Sequence, residues 1–137
     1  MIKDVVDRIV KIISEDSNFT TAYINVGDPR QDPPPQYPHI NIYSTRTNFV
    51  GHNTTHNIMV GIGVKNSTIS ISGKVTKYQG FYDAIDIINK FKNALLSKSL
   101  LLMLEFYDET IETVDMHGIY AIKITVVCQE VNTSKGY

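Results

Sequence analysis

The chain has 137 residues, 42% of them hydrophobic and 20% charged, with a formal net charge of −1. That length suits one domain with a core of its own. The near-neutral charge excludes a protein that holds nucleic acid through a broadly basic surface, because such binding needs cations that displace phosphate counterions. A single cysteine, Cys128, excludes an internal disulfide, and no apolar run approaches the ~20 residues of a membrane-spanning helix.

The opening, Met1 to Arg8, is charged and amphipathic rather than an apolar leader. Ile2, Val5, Val6, Ile9, Val10 and Ile13 recur at helical spacing. Asp4–Arg8 and Asp7–Lys11 place acid four residues ahead of base, the favourable order. Residues 2–16 therefore predict an amphipathic helix lying on a sheet. Residues 20–26 alternate, with Ala22, Ile24 and Val26 on one face, and predict a strand.

All five prolines lie between Pro29 and Pro38. Proline fixes φ and removes a backbone donor, so this segment is barred from helix and from a sheet ladder. Pro33, Pro34 and Pro35 favour a short polyproline II arm standing outside the core. Arg30 and Asp32 flank it, as a solvated loop or as a contact made in an assembly. His39-Ile-Asn-Ile-Tyr43 then alternates as a short strand, with Pro38 at its start.

Residues 44–53 are polar and contain Gly51, and predict a loop. The cleanest strand follows, with Ile58, Val60, Ile62 and Val64 on one face and Met59, Gly61 and Gly63 on the other. The bare glycine face invites something to pack closely on it. Residues 66–79 predict a small hairpin or flap. Residues 81–98 predict a second helix whose buried stripe is Ala84, Ile88, Phe91 and Leu95. Asp83 and Asp86 near its start and Lys90, Lys92 and Lys98 near its end complement the helix dipole.

A long hairpin closes the chain, 109–116 and 119–131 around His117-Gly118, with Tyr120, Ile122, Ile124, Val126 and Cys128 facing one way. The polar tail 132–137 is expected to be mobile. The fold class is α+β: one domain over 1–131, a single mixed or antiparallel sheet covered by two helices, with an extended Pro-rich loop.

Chemistry is sparse. His52 and His56 have the i,i+4 spacing that puts two zinc ligands on one helix face. Here they span a loop and a strand, so they read as solvent-facing, and no metal or cofactor is assigned. Gly61-X-Gly63 lacks the third glycine and following helix of a dinucleotide loop. Cys128 reads as a small core residue; the sequence-near base for a reactive thiol is His117. Asp108, Glu109, Glu112 and Asp115 read as a solvated edge that discourages strand pairing. No catalytic set is assigned, and the chain is expected not to be an enzyme.

The order of elements resembles the tail terminator, or tail completion, proteins of long-tailed bacteriophages. The resemblance is carried by the helix Ile2–Ile13, the motif Gln36-Tyr-Pro-His-Ile-Asn-Ile-Tyr43, the strand His56–Val64, the helix Tyr82–Leu96 and the strand Ile119–Glu130. It covers nearly the whole chain, and neighbouring head–tail joining proteins share it. It implies a structural virion protein that forms a hexameric ring, ends the tail tube and meets the head–tail connector. DNA would pass through the ring without specific binding, and no membrane would be involved. It implies a place at the tail–head interface of the virion, reached by assembly in the host cytoplasm. Arg30, Asp32, Pro34, Tyr37, Arg46 and Phe49 are the expected subunit or tail contacts, because the arm 27–38, the loop 44–55 and the flap 66–79 are free to specialise. The alternatives are another neck or minor tail protein, or a small ligand-binding protein or enzyme with a site near strand 56–64.

Overall fold

The computed structural model describes residues 2–27, 37–98, 103–114 and 118–131. In chain order these form α1 (Ile2–Glu15), a 3-10 turn (Ser17–Phe19), β1 (Tyr23–Val26), β2 (His39–Val50), β3 (Asn53–Lys65), β4 (Ile69–Ser72), β5 (Val75–Tyr78), α2 (Gln79–Lys98), β6 (Met103–Val114) and β7 (Ile119–Val131). Five strands make one mixed sheet in the order β1-β2-β3-β7-β6, and β4 and β5 make a separate hairpin. Among the described strands only β1 and β2 pair in parallel. The Pro-rich arm between Gly27 and Tyr37, most of the turn between β6 and β7, and the tail 132–137 lie outside the described residues.

Both helices follow from their apolar spacing. Val5, Val6, Ile9 and Ile13 of α1 are buried, as are Ala84, Ile88, Phe91 and Leu95 of α2. Each large side chain among them contributes roughly 1.5–3 kcal/mol by leaving water. These residues lie in one core cluster with Ile58, Val60, Ile62 and Val64 of β3 and Ile122, Ile124 and Val126 of β7. The two helices thus cover one face of the sheet. Helix α1 ends where Asp16 accepts a bond from the Asn18 backbone N–H at 2.8 Å and turns the chain into the 3-10 element.

Three expectations need correction. Strand β1 occupies only Tyr23–Val26, because residues 20–22 form a turn in which Ala22 N–H donates to the Phe19 carbonyl at 3.1 Å, and Val26 is exposed at the sheet's edge. The expected loop 44–53 is mostly strand. Strand β2 continues to Val50 and reaches β3 through a tight turn in which Gly51 has φ 58°. The register slips between Ile42 and Ser44, so Tyr43 is a bulge that swaps the faces beyond it. Ile40 and Ile42 face the core, but Thr45 and Thr47 take over past the bulge, and a strict alternation is lost from the sequence. Strand β6 begins at Met103 rather than 109, with its own irregularity between Tyr107 and Thr110. There Asp108 adopts φ 56°, and Glu109 is held by Lys92 of α2 at 2.6 Å.

Candidate functional site

The sheet face away from the helices is one of two surfaces with functional character. The register sets its rows. Tyr107 of β6 lies opposite Thr125 of β7, Thr125 opposite Met59 of β3, and Met59 opposite Ser44 of β2. Tyr43, Met59 and Tyr107 are each more than a third exposed here. Glu105 and Glu112 flank that row on the edge strand β6. The strand carries four acids and no base between Met103 and Val114. The Tyr107 hydroxyl donates to the Glu105 carboxylate, which holds the phenol proton on and raises the Tyr107 pKa above that of an ordinary tyrosine.

The glycine-lined part of this face is covered. A Cβ on Gly63 would lie 3.2 Å from Tyr37 Cε1, and one on Gly61 would lie 3.6 Å from Tyr43 Cε1. Two tyrosine rings therefore sit where the sequence suggested close packing. Beside Tyr37 an open groove of about 640 Å³ runs past Pro38, Lys65 and Asn66 to Asp83 and Asp86 on α2.

The second surface is the β4–β5 hairpin. Its two-residue turn starts with Gly73 at φ 59°, which only glycine adopts at no steric cost. Its base is firmly tied. Gln79 N–H donates to the Thr68 carbonyl at 2.9 Å, and Asn66 N–H donates to the Gly118 carbonyl at 2.7 Å. Asn66 Oδ1 accepts from Gly80 N–H at 2.8 Å, so a residue outside α2 caps it. Above that base every residue of both strands is exposed.

The hairpin's pleat separates two faces. Ser70 pairs with Lys77 and Ser72 with Val75; Ile69 pairs with Tyr78 and Ile71 with Thr76. Lys77 Nζ lies 6.0 Å above the Tyr82 ring of α2. The Ser70–Lys77 face is thus the one turned to the body, over a groove of about 330 Å³ lined by Phe81, Tyr82 and Tyr120 among others. The opposite face presents Ile69 and Ile71, 54% and 74% exposed, while Thr76 and Tyr78 of that face also line the groove. The hairpin carries its most apolar face outward.

Three of the six expected contact residues are described, and these three do not converge. Arg30, Asp32 and Pro34 lie outside the described residues. Tyr37 is half-buried over Gly63 rather than projecting. Arg46 is exposed on the open face opposite Asn57. Phe49 is 76% exposed on the other face, near the tip of the β2–β3 hairpin. Two pairings also differ from expectation. His56 is buried, not solvent-facing, and its Nδ1 lies 3.0 Å from Thr47 Oγ1. Cys128, likewise buried, lies directly across from His56 in the register. Its facing base is therefore His56, whereas His117 lies outside the described residues. The signal for this row was the shared inward parity of residues 56 and 128, which only the strand register converts into proximity. Among the described residues no three His, Cys, Asp or Glu side chains gather as a metal site, and no helix is long and apolar enough to cross a membrane.

No protein-family model matches the chain, and no curated protein matches it in sequence.

Proposed function

We propose that the chain is a structural virion protein of a tailed phage or prophage, which assembles into a hexameric ring, ends the tail tube and joins it to the head connector. The observation that best supports this reading is the β4–β5 hairpin, tied at its base yet turning Ile69 and Ile71 to solvent. A lone two-stranded hairpin is marginal in water, and an exposed apolar stripe marks a contact with another chain. A ring needs such a surface to meet a different one on the next copy. The order of elements supports the same reading through its resemblance to tail terminators. A net charge of −1 suits a lumen in which DNA slides without specific binding. In this role the chain has no catalytic residues, metal or cofactor. It assembles in the host cytoplasm and ends at the tail–head interface.

The test is to add the purified chain to tail tube protein from the same genome during polymerisation and image the tubes by negative-stain electron microscopy. Tubes of bounded length with a ring at one end are expected. Unchanged tube growth with bare ends refutes the terminator role; a ring that binds the connector alone assigns the chain to another level of the neck.

A further inference from the structure

We infer that the β4–β5 hairpin of one copy docks on the open sheet face of a second copy beside strand β6, in a head-to-tail contact. This deepens the ring reading by naming the two surfaces that meet, and it rests on that reading for the identity of the occupant. Three observations join the surfaces.

The first is apolar match. The outward side chains Ile69 and Ile71 are left exposed by their own domain. The open face offers Tyr43, Met59 and Tyr107 in the same condition. The second is charge. The segment Asn66–Tyr82 contains Lys74 and Lys77 and no acid; on the open face β6 presents Glu105 and Glu112, with Lys123 of β7 on the same face, while Glu109 is already paired with Lys92 of α2. Lys74 stands at the hairpin's tip, so it would reach the acids that flank the apolar row. The third is size. Four-residue strands are ~13 Å long, and β3 lies ~10 Å from β6 across β7, so the hairpin spans the row it would cover.

The hairpin and the open face are different surfaces of one molecule, so each copy would give one and receive on the other. Such a contact is heterologous and propagates into a ring if the rotation closes.

Analytical ultracentrifugation of two blocked variants tests this. Ile71→Asp disables the hairpin, and Met59→Arg disables the sheet face while repelling Lys74. Wild-type chain should self-associate, and either variant alone should associate at least tenfold more weakly. An equimolar mixture of the two should form a dimer that grows no further, because only one intact pair of surfaces remains per pair of chains. Circular dichroism checks folding; if Met59→Arg misfolds, Glu112→Lys on the same face replaces it. Near-wild-type association of either variant, or a mixture that stays monomeric, overturns the contact, and so does wild-type chain that remains monomeric at millimolar concentration and low salt.

The two readings fail separately. Rings that cap tubes but form equally well from Ile71→Asp chain sink the contact and leave the ring standing. Association through these surfaces that leaves tubes uncapped sinks the terminator role and leaves the contact standing.

Discussion

Gly80→Ala tests whether the junction beneath the hairpin is as tight as its geometry. A Cβ at this position would lie 2.7 Å from Asn66 Cα and 2.8 Å and 2.9 Å from two ring carbons of Tyr120. Carbon atoms in good contact sit about 3.5–4.0 Å apart, so the overlap approaches an ångström on both sides. Tyr120 could tilt, but Asn66 is backbone, held through its own N–H to Gly118 and through its side chain to Gly80 N–H. Overpacking of this kind costs about 1–3 kcal/mol, and loss of the Asn66 cap adds about 1 kcal/mol. Alanine recovers at most about 1 kcal/mol of helix propensity over glycine. The net loss is about 1–3 kcal/mol, a fall of roughly 3–12 °C in Tm for a domain of this size. Urea unfolding should show a lower midpoint with an unchanged slope. A Gly80→Ala protein as stable as the parent would refute the reasoning, because it would mean that Asn66 moves freely and that the hairpin base is not fixed.

Ile122→Ala, at a fully buried position of the interior strand β7, should lose about 2–5 kcal/mol in urea unfolding. Thr47→Val removes the hydroxyl that meets buried His56 Nδ1 and should cost about 1–3 kcal/mol; a neutral result would mean that water replaces the hydroxyl. Cys128 is buried, so a thiol reagent should label it only in denaturant, and fast labelling of native protein would contradict the packing. In an ultraviolet pH titration Tyr107 should ionise later than an ordinary tyrosine, because Glu105 favours the protonated phenol. Glu105→Gln should bring that step down in pH, and an unmoved step would show that the carboxylate is not its cause.

The parts of the fold that a sequence can show are those where one periodicity runs unbroken. The buried faces of α1, α2, β3 and β7 were legible because Val5, Ile9 and Ile13, Ile88 and Phe91, Ile58 to Val64 and Tyr120 to Cys128 keep their spacing from end to end. The outer half of β2 was hidden because the Tyr43 bulge changes parity and because the strand there outruns the apolar core, so Thr45 and Thr47 stand where Ile would have announced a strand. The flap was visible in the alternation of Ile69 and Ile71, but the direction of its apolar face was not. That direction follows from the position of Lys77 over Tyr82, a contact between elements. The row Thr47, His56 and Cys128 needed register across three strands, which no local pattern contains. The expected contact residues were drawn from loops, and Arg46 proved to lie on a strand.

The order of the sheet also governs how the chain must be made. Strand β7, the last of the described strands in chain order, inserts between β3 and β6 and pairs with β3 along its length. Until it arrives, β3 has only β2 beside it, and its other edge is open to pairing with another chain. Such long-range closure is intrinsically slow. A nascent chain that pauses before Ile119 would hold Ile58, Val60 and Ile62 without their lid strand, and premature termination there would yield an aggregation-prone fragment rather than a smaller domain. The sheet is complete only once β7 is in place between β3 and β6.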